Sequence, residues 1–140
     1  MIRINVFITQ VNGERLWGVD APLPPQVQIA VNINILGLER KTDSLLEAPF
    51  AFSVNFTPSI AQMSMRGSSQ LTGDKKDLEG ILDEFTQKKT PPQQVVQAVS
   101  NAVLAESILI SKTLGIPPPI PPISIPSQQV KKDGKLEYMT

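Results

Sequence analysis

The sequence predicts an α+β fold, with a four-stranded antiparallel sheet followed by two C-terminal helices packed on one of its faces. Three observations carry this. Apolar residues alternate at a period of two through the first half of the chain and recur at three to four through the second. The helical segments stand together after the strands instead of alternating with them. Pro91 and Pro92 suit the first turn of a helix, and Gly115 suits the left-handed residue that closes one.

Ile2, Ile4, Val6 and Ile8 alternate with polar or aromatic neighbours and form the first strand. Asn12-Gly13 is the dipeptide preferred in a tight hairpin turn, so Arg15, Leu16 and Trp17 are expected to fold back as a short return arm. Gly18 to Pro25 reads GVDAPLPP, an irregular crossover that is apolar for a loop. Val27, Ile29, Val31, Ile33 and Ile35 make the clearest strand and are expected at the centre of the sheet. The charged segment from Leu38 to Pro49 is expected as a turn between strands, after which Phe50, Phe52, Val54 and Phe56 form a third alternating set. Ala61, Met63 and Met65 start a fourth strand, expected to fade through Gly67, Ser68 and Ser69. Thr72 or Asp74 caps a short helix with Leu78, Ile81, Leu82 and Phe85 on one face. The long helix from Pro91 to Gly115 presents Val95, Val99, Ala102, Val103, Ile110 and Leu114 to the sheet. Six prolines between Pro117 and Pro126 then forbid helix and interior strand, leaving an extended rod whose isoleucines are expected to pack on the protein's own domain. A single domain over residues 1–126 is expected, with a polar, mobile tail over residues 127–140.

Composition excludes several chemistries. Thirteen Lys plus Arg balance thirteen Asp plus Glu, so no basic field exists to attract nucleic acid. Without cysteine there are no disulfides, thiolate metal sites or cysteine nucleophiles; without histidine, the commonest metal ligand and general base are missing. Asp77, Glu79, Asp83 and Glu84 read as the solvated face of an amphipathic helix rather than an acid–base pair or cation site. Gly67-Ser68-Ser69 with Gly73-Asp74-Lys75-Lys76 lacks the spacing of a phosphate loop and reads as a turn. No catalytic residue, cofactor or metal site is expected, and no run of the sequence reads as a bilayer span. A cytoplasmic protein that is not an enzyme is the expectation.

What remains is apolar surface. Phe7, Ala30 and Leu36 fall out of phase with the main buried set, so a face of the sheet left without helices is expected to carry an apolar patch. Leu23 lies in the apolar crossover, with Trp17 beside it, and Met63 and Met65 offer adaptable thioethers. Packing is the simpler role for Trp17 and for both methionines, but these six residues, Phe7, Trp17, Leu23, Leu36, Met63 and Met65, are the candidates for contacting a polypeptide.

The order of parts resembles the SecB family of protein-export chaperones. The resemblance rests on an opening strand, a proline-bearing crossover, a strand beginning PQVQIAVNI, an aromatic strand pair, a short and a long helix, and the closing strip TLGIPPPIPPISI, over residues 2–126. It implies a homotetramer, assembled as a dimer of dimers, whose apolar grooves hold unfolded or precursor polypeptides without ATP; the apolar composition of so small a domain by itself leads to the expectation of a dimer or a tetramer built from dimers. A second reading is an assembly module whose apolar surfaces are consumed by self-association.

Overall fold

The computed structural model describes residues 2–119. Five strands, β1 (Arg3–Arg15), β2 (Gln28–Ile35), β3 (Glu39–Thr42), β4 (Leu45–Thr57) and β5 (Ala61–Thr72), precede two helices, α1 (Lys75–Lys88) and α2 (Gln93–Leu114). The sheet runs β1-β5-β4-β2, and β3 pairs with β4 on the same side as β2, so β2 and β3 together form one edge. Every pairing is antiparallel. Leu46, Ala48, Phe50, Phe52, Val54 and Phe56 on β4 are all buried, and their cross-strand neighbours Leu71, Met65 and Met63 on β5 complete the core. Each large side chain so covered contributes about 1.5–3 kcal/mol relative to exposure.

Several sequence expectations are corrected, beginning with the strand number, five where the sequence predicts four. Asn12-Gly13 makes no hairpin: β1 continues to Arg15, with Asn12 opposite Ser64 and Gly13 opposite Met63. A turn there would forfeit the ladder that β5 offers along its full length. Gly13 serves a different purpose, because a Cβ on it would approach Ile110 Cγ2 at 2.9 Å, so the missing side chain lets β1 lie against α2. The Val27–Ile35 strand is an edge strand, not a central one, since alternation reports one covered face and not the number of neighbours. The turn expected over Leu38–Pro49 is confined to Asp43 and Ser44, and the rest of the segment is mostly strand, a short hairpin in which Lys41 Nζ lies 3.1 Å from Glu39 and 3.4 Å from Glu47, binding β3 to β4. Finally, Gly67-Ser68-Ser69 is neither a fading end nor a turn, because β5 continues through it to Thr72.

Small residues are needed there. β1 carries a bulge between Ile8 and Gln10, and the extra residue, Thr9, donates its hydroxyl to Arg66 O at 3.3 Å. A Cβ on Gly67 would run into the Phe7 carbonyl and lie 2.8 Å from Phe50 Cζ. Ser69, fully buried, donates to Ala48 O at 3.0 Å. The bulge also reverses the phase of β1. Ile4 and Ile8 face the helices beside Leu71 and Gly67, whereas beyond the bulge it is Val11, Gly13 and Arg15 that do so beside Met65, Met63 and Ala61.

Helix α1 begins after Asp74, whose carbonyl accepts the Leu78 N–H at 3.0 Å while its side chain makes no capping bond. Leu78 is buried, and Ile81 and Leu82 pack partly against the core. Arg40 Nη2 lies 3.7 Å from Glu79 and ties β3 to this helix. In α2 the buried stripe is Val95, Val99, Val103, Ser107 and Ser111, steps of four throughout, with Ala102, Ile110 and Leu114 half-buried beside it. Ser107 enters the stripe without loss because its hydroxyl donates to Leu104 O at 2.8 Å. Gly115, at φ 66°, closes the helix, and Ile116 N donates to Ser111 O at 3.0 Å. By length and a mean hydropathy of 1.2, α2 could cross a membrane, contrary to the sequence expectation, yet its valine stripe is spent on the sheet. The proline strip starts as expected: Ile116 and Pro119 are buried against the domain. The rest of the strip and the tail over residues 127–140 lie outside the described residues.

Val99 is completely buried in mid-helix, and Gln97 is exposed. Val99→Asp is expected to lower stability by about 3 kcal/mol or more, because it strands a carboxylate in the core, whereas Gln97→Asp stays within about 0.5 kcal/mol. Urea unfolding of the two variants checks this, and coincident midpoints would mean that α2 faces the other way.

Candidate functional site

The sheet has two unlike faces. The register places Phe7 opposite Ser68, Ser68 opposite Pro49, and Leu36, whose N–H donates to Pro49 O at 2.8 Å, next to Pro49. Phe7 and Leu36 thus end one row across the face without helices, 49% and 62% exposed and about 14 Å apart at three interstrand steps. Ala30 lies on this face too, opposite Asn55. The surroundings are nevertheless polar. The next rows read Asn12, Ser64, Ser53, Asn32 and Gln10, Arg66, Ala51, Asn34. The expected apolar patch is therefore broken up, because the out-of-phase positions of β4 and β5 are mostly hydroxyls and amides.

Met63 and Met65 are core residues, 3% and 1% exposed, on the helix side of β5. Trp17 and Leu23 are half-buried in the crossover and pack against the core. The six candidates therefore fall in three places: the open sheet face, the crossover and the core. They do not form one patch.

The most exposed large apolar side chain among the described residues lies in the crossover between β1 and β2. Its start is pinned, since Leu16 N and Trp17 N both donate to Ile60 O, at 2.8 and 3.3 Å, and Ala21 N donates to Gly18 O at 3.1 Å. Between these anchors Val19 stands 89% exposed, and Leu16 at the first anchor is exposed as well. Pro22, Pro24 and Pro25 follow and restrict the backbone, so the loop presents its side chains at little further entropic cost. Val11, Val31, Ile108 and Leu109 are further exposed apolar residues outside the six. Val11 escaped notice because the bulge shifts its phase, and Val19 because it sits in a loop where no period applies. Its signal was composition alone: a valine amid prolines in place of the usual polar residues.

The charged groups belong elsewhere. Among the described residues no three His, Cys, Asp or Glu gather as a metal site. Glu79, read as part of a solvated helix face, is 51% exposed and meets Arg40. Lys41 has its pKa raised by the hydrogen bond and charge of Glu39 and then by those of Glu47, an arrangement of the β3 hairpin.

No protein-family model matches the chain, and no curated protein does. Among solved structures the fold is similar to that of the Mycobacterium tuberculosis Rv1957 SecB-like chaperone in complex with a ChAD peptide from the Rv1956 HigA1 antitoxin. The TM-score is 0.59 at 10% identity, over 88% of this chain and 90% of that chain. The likeness is one of fold. The shared architecture is the α+β arrangement described above, an antiparallel sheet with two C-terminal helices packed on it, and at this identity no residue role carries across.

The contrast between core and surface candidates can be measured. Met65→Ala is expected to cost about 2–5 kcal/mol through the cavity it leaves, while Leu36→Ala stays within about 0.5 kcal/mol. Calorimetric melting of both variants checks the placement, and equal losses would contradict it.

Proposed function

We propose that this chain is an ATP-independent, SecB-like holdase that binds unfolded or precursor polypeptides through the apolar crossover. The observation that carries the reading is that loop: Val19 stands almost wholly exposed between fixed anchors, with exposed Leu16 and half-buried Trp17 at the first anchor and half-buried Leu23 beyond the second. Two facts support it. The scaffold shares its fold with a chaperone whose structure holds a peptide, and a restricted apolar loop binds extended segments by burial alone, at about 25 cal/mol for each square ångström removed from water. Binding of this kind is unselective among apolar segments and involves no catalytic step. The proposal includes a cytoplasmic setting and a homo-oligomer, a dimer or a tetramer. The long free edge of β1 and the exposed Ile108 and Leu109 of α2 are surfaces suited to self-association. Phe7 and Leu36 are secondary contacts in this scheme.

Those same surfaces favour the second reading, an assembly module without clients, and one experiment separates the two. The purified protein, in excess over a denatured model client and without nucleotide, is expected to suppress light scattering, and moderate salt is expected to leave the effect in place. Val19→Asp should weaken retention about tenfold, the loss of one buried side chain's contribution, with no change in melting temperature. Trp17→Ala should also weaken it while the oligomer persists. An unchanged scattering curve would falsify the holdase reading, and abolition by moderate salt would replace burial with charge as the cause. Sedimentation is expected to give a particle heavier than the 15.3 kDa monomer; a strict monomer at micromolar concentration would remove the oligomer from the proposal.

A further inference from the structure

The guanidinium of Arg15 joins the start of the crossover to the end of α2. Its Nε donates to Trp17 O at 3.0 Å and its Nη2 to Gly18 O at 3.3 Å. Its Nη1 donates to Leu114 O at 3.0 Å and to Gly115 O at 2.9 Å. Four backbone carbonyls from segments about a hundred residues apart in sequence thus converge on one planar fork. Each partner is suited to a cation. Leu114 and Gly115 end α2, where unpaired carbonyls and the helix dipole concentrate negative potential. Gly115 answers two demands at once, because φ 66° favours glycine and a Cβ there would stand 3.2 Å from Arg15 Nη1. Gly13, two residues before Arg15, lets β1 approach Ile110 and Leu114 closely enough for the fork to reach.

We infer that Arg15 is the positioning residue of the crossover: it straps Trp17 and Gly18 to the carboxyl end of α2, so that the loop's first turn and the helix end move together. The inference rests on the holdase reading for its consequence, since the strapped turn is the one that presents Trp17 and Val19. Without the strap, Leu16 N and Trp17 N would still hold Ile60 O, so the fold would persist while the carbonyl side of the turn came loose. Lysine cannot substitute, because a single ammonium on a flexible stem does not span carbonyls on two segments in the plane of a fork.

Trp17 is the chain's single tryptophan and reports the turn directly. In the full-length protein, Arg15→Lys is expected to unfold in one cooperative transition like wild type, to make Trp17 about twofold more accessible to acrylamide quenching, and to weaken retention of a denatured model client about tenfold, within the range of ordinary coupling between sites. Lys112→Ala, which removes a cation from the same helix end without touching the fork, should change neither quenching nor retention. Should Arg15→Lys fail to fold, Gly115→Asn gives the second measurement, since asparagine tolerates the left-handed backbone while its Cβ pushes the fork away. Wild-type quenching in the folded variant overturns the strap, and raised quenching with wild-type retention overturns its role in positioning the site. A wild-type protein that retains no client counts against the holdase reading alone, and the strap is then decided by quenching.

Discussion

Burial of one face of β4 is the constraint from which the other elements take their places. Six alternating side chains from Leu46 to Phe56 are withdrawn from water there. No neighbouring strand can cover a face, so the helices must. α2 contributes valines at steps of four, α1 contributes Leu78, and Ile116 joins the same core. The bulge in β1 belongs to the same requirement. After Thr9 it turns Val11, Gly13 and Arg15 to the helix side, and Gly13 leaves the room in which the last turns of α2 settle. Displacing α2 would therefore expose the phenylalanines of β4 and disturb the far end of β1 together.

The same geometry explains why the two sheet faces differ. With two helices on one side, the opposite side meets water, and Asn, Gln and Ser occupy the positions out of phase with the core. Phe7 and Leu36 interrupt this face at its two edges, separated by Ser68 and Pro49. Two apolar side chains that far apart do not make a continuous surface. The crossover instead sets exposed Leu16 and Val19 three residues apart, on a backbone restrained at one end by Ile60 and Arg15 and at the other by prolines.

Periodicity made most of the elements legible. Phe50 to Phe56 and Val27 to Ile35 read plainly as strands, and Val95, Val99 and Val103 read plainly as the inner stripe of a helix. Position in the sheet was not legible, because the two strands alternate alike although only β4 has a paired neighbour on each side along its length. The Asn12-Gly13 signal was local, and it lost to a ladder with residues some fifty positions away. Ser107 and Ser111 looked polar, yet continuing the valine stripe by four and eight residues lands on both. For the site, the sequence marked the crossover by its composition, with Leu23 in it and Trp17 beside it. It could not separate the buried methionines from the exposed valine, since that difference is made by which residues the helices cover.

The magnitudes connect the proposed loop to the proposed oligomer. A handful of apolar side chains at about 1.5–3 kcal/mol each stands against an association cost of about 4–15 kcal/mol. Under the proposed reading, one crossover alone would therefore retain an extended client weakly. Two copies held on one particle turn the second contact into an intramolecular event, and retention rises by orders of magnitude without any new chemistry. That gain depends on the loops keeping a fixed spacing, because an unstrapped loop would lower the effective concentration of its partner. In this scheme Arg15 and self-association act on the same quantity: the probability that a client released by one crossover finds the next one in place.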